Sequence, residues 1–299
     1  IDRAYGLFGV YAPLVFYMDS LQAQDVIEEW QPIAYDWRLG YQDLINYGNH
    51  TGEGKIYYRG INASTTTDPY IIQQLKHLAS TSQTGKVTII GHSNGGLLAK
   101  QLTEVLGPSV SAQLIDKIIF VAVPQLGTPK AVGGLLHGYD QVLPFDEFPI
   151  FLAPRDARTL AQNMPAAYNL LPSNQYFTYT DDSVITFDFQ ALPDWVAQYG
   201  DANNLNAGIH STELLRNFMT DLERGVPDAS DVATPSVVGV SLFDNAASVH
   251  ASLDNWVPPQ GIQLITIAGW GNETFSSLEY TREVVNCSTQ DSTGCIAPI

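Results

Sequence analysis

Apolar and polar positions along the chain change period several times, and each change marks an element. Residues 14–30, "LVFYMDSLQAQDVIEEW", space their apolar side chains at helical intervals with acids on the other face, so the pattern predicts a helix. "QPIAYDW" (31–37) reads as a strand, and the Gly-, Asn- and Thr-rich stretch 48–68 as a loop holding at most a hairpin. Asp68-Pro69 reads as a helix start, with Asp68 as N-cap and Pro69 at the first helical position, leading into "YIIQQLKHLASTS". "KVTIIG" is a short apolar strand, "NGGLLAKQLTEVLG" a helix, and "IDKIIFVAVP" (115–124) a buried strand of Ile, Phe and Val.

From about residue 130 to 258 this alternation is lost. The region is aromatic-rich and broken by proline, with one clear helical pattern at "STELLRNFMTDLERG"; a strand pattern returns at "GIQLITIAGW" (261–270). Strands alternating with helices over short connections predict an α/β architecture, a mostly parallel sheet with flanking helices. The block between two core strands is expected to be an inserted cap. This divides the chain into a first core part (1–129), a cap (130–258) and a continued core (259–299).

Charge narrows the partners. The 299 residues hold 14 Lys+Arg against 31 Asp+Glu, a net charge of −17. Such a surface repels phosphate backbones and anionic headgroups, which argues against nucleic acid and electrostatic membrane docking and leaves neutral ester substrates open. The longest uncharged run near the start, Ala4–Met18, is too short to cross a bilayer and contains Pro13. The chain starts at Ile1 rather than Met, which predicts a processed, excised or partial polypeptide. Cys287 and Cys295 close a small loop with no histidine nearby, so a local disulfide is favoured over zinc, with two unrelated thiols as the alternative. Few lysines, abundant Ser, Thr and Asn and the negative charge fit an extracellular or cell-surface protein. The sequons at Asn49, Asn62, Asn272 and Asn286 permit glycosylation in a eukaryotic host, but several arise by chance in a chain of this composition and carry little weight.

The chemistry concentrates at Gly91-His92-Ser93-Asn94-Gly95, a G-x-S-x-G pattern with a strand before it and a helix after it. A serine hydroxyl is a weak nucleophile and needs a base to take its proton and donors to hold the oxyanion. In this setting Ser93 is the candidate nucleophile and the Asn94 N–H an oxyanion donor. Gly91, Gly95 and Gly96 suit a turn where strand and helix approach closely. The alternative is a glycine-rich turn in which Ser93 only caps the helix. His92, its chain neighbour, points away at such a turn and reads as structural.

"AYDWR" (34–38), "GHSNGG" (91–96) and "PQLGTPKAV" (124–132) occur in the order found in lipase-like α/β-hydrolases, and the chain resembles those related to lecithin:cholesterol acyltransferase over about residues 7–275. "HASLDNWVPPQGIQLITIAGWGNET" also looks like that family's last helix, penultimate strand and G-x-G-x-x-T turn. The resemblance implies an α/β-hydrolase fold and an enzyme acting on lipid or other acyl esters through a serine, without metal or cofactor. It matches Ser93 to the nucleophile and Asn94 to the donor after it, and makes Asp36, Trp37 and Arg38 structural, with Asp36 and Arg38 paired.

The sequence departs from the family in two places. It opens at the helix that should follow the first oxyanion loop, and no Asp-Gly-Thr turn or histidine follows His250. Each of His50, His77, His92, His137, His210 and His250 reads as structural or surface; His250 or His210 would be the fallback bases and Asp291 the fallback acid. A missing segment or a second chain completing the site is one expectation, and a catalytically silent binding or display module is the alternative function. An amidase or peptidase on the same elbow is a third. The cap's aromatic block, 137–177, reads as a lid and acyl groove or as an ordinary apolar core.

Overall fold

α1 (Ala12–Ala23) is the first element of the computed structural model, which describes residues 11–51, 55–58, 68–139, 152–200, 208–284 and 296–298. Asn62, Asn286, Cys287, Asp291, Cys295 and the stretch 140–151 lie outside the described residues. α1 ends short of residue 30 because Asp25 adopts a left-handed φ of 55°, and none of its residues is buried. Residues 31–36 form no strand: Pro32 has no N–H to donate, and the Asp36 N–H bonds Tyr58 Oη at 3.1 Å instead of a neighbouring strand.

α2 (Tyr41–Tyr47) leads into a hairpin of β1 (Gly48–His50) and β2 (Ile56–Tyr58), antiparallel with Asn49 opposite Tyr57. α3 spans Tyr70–Thr81, with Pro69 at the cap position. Asp68 makes no cap bond and pairs with Lys76 at 2.7 Å, so the helix begins one residue later than its sequence predicts. β3 (Val87–His92), α4 (Asn94–Leu114) and β4 (Ile115–Val121) follow with almost no connecting residues. Gly107 breaks the helical path of α4 with φ 75°, ψ 161°, and Pro108 restarts it.

Next come α5 (Pro129–His137), α6 (Pro154–Gln162), α7 (Pro165–Tyr168), α8 (Asn174–Tyr179), β5 (Ile185–Phe187), α9 (Pro193–Tyr199), β6 (Gly208–Ile209), α10 (Thr212–Thr220) and α11 (Val240–Leu253). β7 (Gln263–Ile267), β8 (Leu278–Tyr280), β9 (Arg282–Val284) and β10 (Ile296–Pro298) complete the order. Among the described residues, no helix is long and apolar enough to cross a membrane.

The chain divides into two compact units, Ile1–Val123 with Trp256–Gly269, and Pro124–Asn255 with Trp270–Ile299. In the first, β3, β4 and β7 form a parallel sheet in that order, with Ile119 between Ile90 and Ile265. α4 lies against β3 and β4 and buries Leu97, Leu98 and Leu102. Among the described residues β7 is one edge of the sheet and β3 the other; Leu264 and Ile267 of β7 are 37% and 53% exposed, where its sequence reads as a core strand.

In the second unit β6, β5 and β8 form a mixed sheet over a core of Val132, Tyr168, Phe187, Phe218, Phe243 and Tyr280. Phe218 centres an aromatic knot, with ring centroids 5.1 Å from Tyr199, 5.5 Å from Phe187 and 5.6 Å from Trp195 and Tyr280. Of the aromatic block read as groove or core, Tyr168 and Leu171 lie in this packed core. Two arginines organise the loop after α10. Arg158 is buried and donates to the carbonyls of Asp228, Ala229, Asp231 and Thr234, while Arg224 donates to those of Phe218, Pro235 and Ser236 and lies 4.3 Å over the Phe218 ring.

Candidate active site

Ser93 sits at the junction of β3 and α4 with φ 51°, ψ −127°, a backbone conformation that L side chains rarely adopt. The strained turn is closed by close packing. A Cβ at Gly91 would stand 2.8 Å from Gly96 Cα, and one at Gly96 would stand 2.2 Å from Val123 Cγ2. At Gly95 the space is different, since a Cβ would meet only Tyr35 Oη at 3.7 Å. The close approach is therefore between Gly91 and Gly96, and between Gly96 and the chain leaving β4.

The capping alternative for Ser93 has no support in this geometry. Its side chain accepts no bond from the first turn of α4, although it occupies the cap position. Its N–H donates to Val121 O at 3.0 Å, fixing the elbow to the end of β4. The Asn94 N–H, at the first position of α4, has no acceptor among the described residues, as expected of the donors at a helix start. A half-buried hydroxyl beside free N–H groups at a helix N-terminus is suited to attack a carbonyl and hold the resulting oxyanion.

The residues flanking Ser93 are held by phenols. Tyr11 Oη lies 2.7 Å from His92 Nδ1, which leaves His92 committed to a structural contact. Tyr41 Oη donates to Asn94 Oδ1 at 2.6 Å. The Asp36–Arg38 pair is present, with Arg38 Nη2 2.6 Å from Asp36 Oδ2; the guanidinium holds the Asp36 carboxyl below the usual carboxylate range. In this unit no described group hydrogen-bonds Ser93 Oγ, and His50 and His77 are engaged with Gln73 and Glu29.

The fallback histidines lie in the second unit. His210 Nδ1 is 3.0 Å from Gly208 O. His250 is buried on α11 with Nδ1 3.5 Å from Asp254 Oδ1, side chains 7% and 5% exposed. They line a cavity of about 20 Å³ with Ser173, Thr212 and Phe243, room for one water. Burial opposes ionisation of Asp254, but the adjacent His250 and Ser173 side chains and the Gln175 N–H, which donates to Oδ2 at 3.4 Å, outweigh this and keep its carboxyl below the usual range. Among the described residues no three of His, Cys, Asp and Glu converge as metal ligands.

Sequence reasoning missed Tyr41 and Asp254. The second carried a signal, the His-x-x-x-Asp spacing that puts both side chains on one helix face. The first carried none, because its partner is far along the chain. The PQLGTP segment also gains a structural basis in the second unit. Gly127, at φ 85°, would place a Cβ 2.1 Å from Leu171 O, and Thr128 Oγ1 caps α5 by accepting from the Lys130 N–H.

No curated relative matches the chain. A solved structure described as "The crystal structure of Tle4-Tli4 complex" is 15% identical with a TM-score of 0.35; the match covers 62% of this chain and 37% of that one. The family model described as "Lecithin:cholesterol acyltransferase" matches residues 28–224, a span that takes in α2, the Ser93 elbow and the PQLGTP segment. With the greater part of its length matched, the chain belongs to the lecithin:cholesterol acyltransferase family, whose fold is that of the α/β-hydrolases.

Proposed function

We propose that the chain is a serine hydrolase or acyltransferase of carboxylic esters, with lipid or other acyl esters as substrates, at the cell surface or outside the cell. The observation that carries this is Ser93 itself: a non-glycine residue held at φ 51° with its hydroxyl uncommitted to the helix it precedes. Ser93 Oγ attacks the acyl carbonyl and gives up its proton to a general base. The tetrahedral oxyanion is held by the Asn94 N–H, then collapses to an acyl-serine as the alcohol leaves. Water or a second alcohol takes the acyl group and regenerates the serine. The surface charge of −17 favours neutral or zwitterionic ester substrates over anionic ones.

A fluorophosphonate probe tests this directly. The protein should label, and Ser93→Ala should not; equal labelling of both would end the proposal. A catalytically silent module is the second reading, and one observation favours it: no described group of the first unit accepts the Ser93 proton. Absence of labelling and of ester turnover in a well-folded protein is the result it requires.

A further inference from the structure

We propose that Tyr41 is a positioning residue for acyl transfer at Ser93, fixing Asn94 so that its backbone N–H stays aimed at the oxyanion. The proposal rests on the reading of Ser93 as nucleophile. Tyr41 opens α2, is 1% exposed beside the buried Leu44 and Ile45, and donates its hydroxyl to Asn94 Oδ1 at 2.6 Å. Among the described residues it is the one hydrogen bond that either group makes, and it joins α2 to the first residue of α4.

Two physical arguments give the bond its role. A non-glycine residue stays at a positive φ only where its neighbours over-determine it. Ser93 is anchored on its N-terminal side by its own N–H to Val121 O and by Tyr11 on His92; on its C-terminal side the side-chain anchor is Tyr41 on Asn94. Second, an untethered asparagine beside a helix start folds its carboxamide oxygen back onto nearby N–H groups. Bound to Tyr41, Asn94 Oδ1 cannot compete with a substrate oxyanion for those donors. Burial pushes the Tyr41 phenol above its ordinary range, so it is protonated and a donor at neutral pH.

The test uses the full chain with Tyr41→Phe, Asn94→Ala and the double variant, read by fluorophosphonate labelling rate and steady-state ester hydrolysis, with melting temperature measured alongside. Tyr41→Phe should lower kcat and labelling rate about tenfold with KM unchanged, and Asn94→Ala about three- to tenfold, since it cuts the same tether but leaves no competing carboxamide. The double should fall no further, because both changes cut the same tether. Amide exchange at Ser93 and Gly96, whose N–H groups donate to Val121 O and Ser93 O, should quicken in Tyr41→Phe while the rest of α4 is unchanged. Rates within twofold of the parent, a loss confined to KM, multiplying losses in the double, or unaltered exchange would each overturn the positioning role. A parent protein that does not label, or Ser93→Ala labelling equally, overturns the nucleophile reading and the catalytic role of Tyr41 with it; exchange then still reports whether the tether orders the elbow.

Discussion

Gly96 and Gly95 are adjacent in sequence, yet the structure assigns them opposite tolerances for a methyl group. In Gly96→Ala the new Cβ would lie 2.2 Å from Val123 Cγ2, 2.7 Å from Cγ1 and 3.0 Å from Cβ. Val123 cannot swing clear by rotation, because both γ-carbons face the intruder and a β-branched side chain has few χ1 alternatives. Overpacking of this kind costs about 1–3 kcal/mol, reduced by up to about 1 kcal/mol from the better helix propensity of alanine. At Gly95 the same change meets only Tyr35 Oη at 3.7 Å, so the propensity gain stands alone and the variant should be neutral or stabilised by up to about 1 kcal/mol. Thermal unfolding followed by circular dichroism reads the contrast, at about 2–4 °C per kcal/mol for a chain of this size class. Val123→Ala removes both γ-carbons, so Gly96→Ala should be less damaging in that background than alone, a favourable coupling in a double-mutant cycle. A Gly96→Ala variant as stable as Gly95→Ala, or strict additivity with Val123→Ala, would refute the packing argument.

Other expectations follow from the second unit. Arg158→Lys should destabilise by about 2–3 kcal/mol, because an ammonium cannot serve four carbonyls at once; limited proteolysis should then cut within 225–237. Thr128→Ala should lower stability by about 1 kcal/mol through loss of the α5 cap, measured by urea midpoint. Asp254, with its folded carboxyl held below the unfolded value, contributes stability that is complete above about pH 4 and fades as pH falls through the folded value. Asp254→Asn should therefore flatten the acid limb of the stability–pH curve below about pH 4, and an unchanged limb would show that the carboxyl is not held as described.

Strand, elbow and helix at 87–114 were legible because local signals agreed: an apolar run, glycines at the close approach, and leucines at helical spacing. The Asp36–Arg38 pair was legible for the same reason, its partners being two residues apart. "QPIAYDW" misled because its apolar alternation resembles a strand while Pro32 removes a donor and Tyr58 takes the Asp36 N–H from outside the segment. The helix at 12–23 read as longer because the left-handed turn at Asp25 leaves no mark on hydrophobic period. At the site, Ser93 was visible from five residues, whereas the Tyr41 tether joins positions that only the folded chain brings together. Gly107 ended the predicted α4 correctly; the short stretch after it, restarted by Pro108, was not foreseen.

The edge strand β7 has a consequence for handling the protein in solution. Its sequence, Gln-Leu-Ile-Thr-Ile, carries no lysine, proline or acid to deter a second strand, and Leu264 and Ile267 are exposed along it. Protection against intermolecular strand pairing then falls to long-range repulsion between molecules of net charge −17. That repulsion vanishes near the isoelectric point of about 4.4 and is screened by salt, so colloidal stability should fail in mildly acidic or high-salt buffer before the fold does.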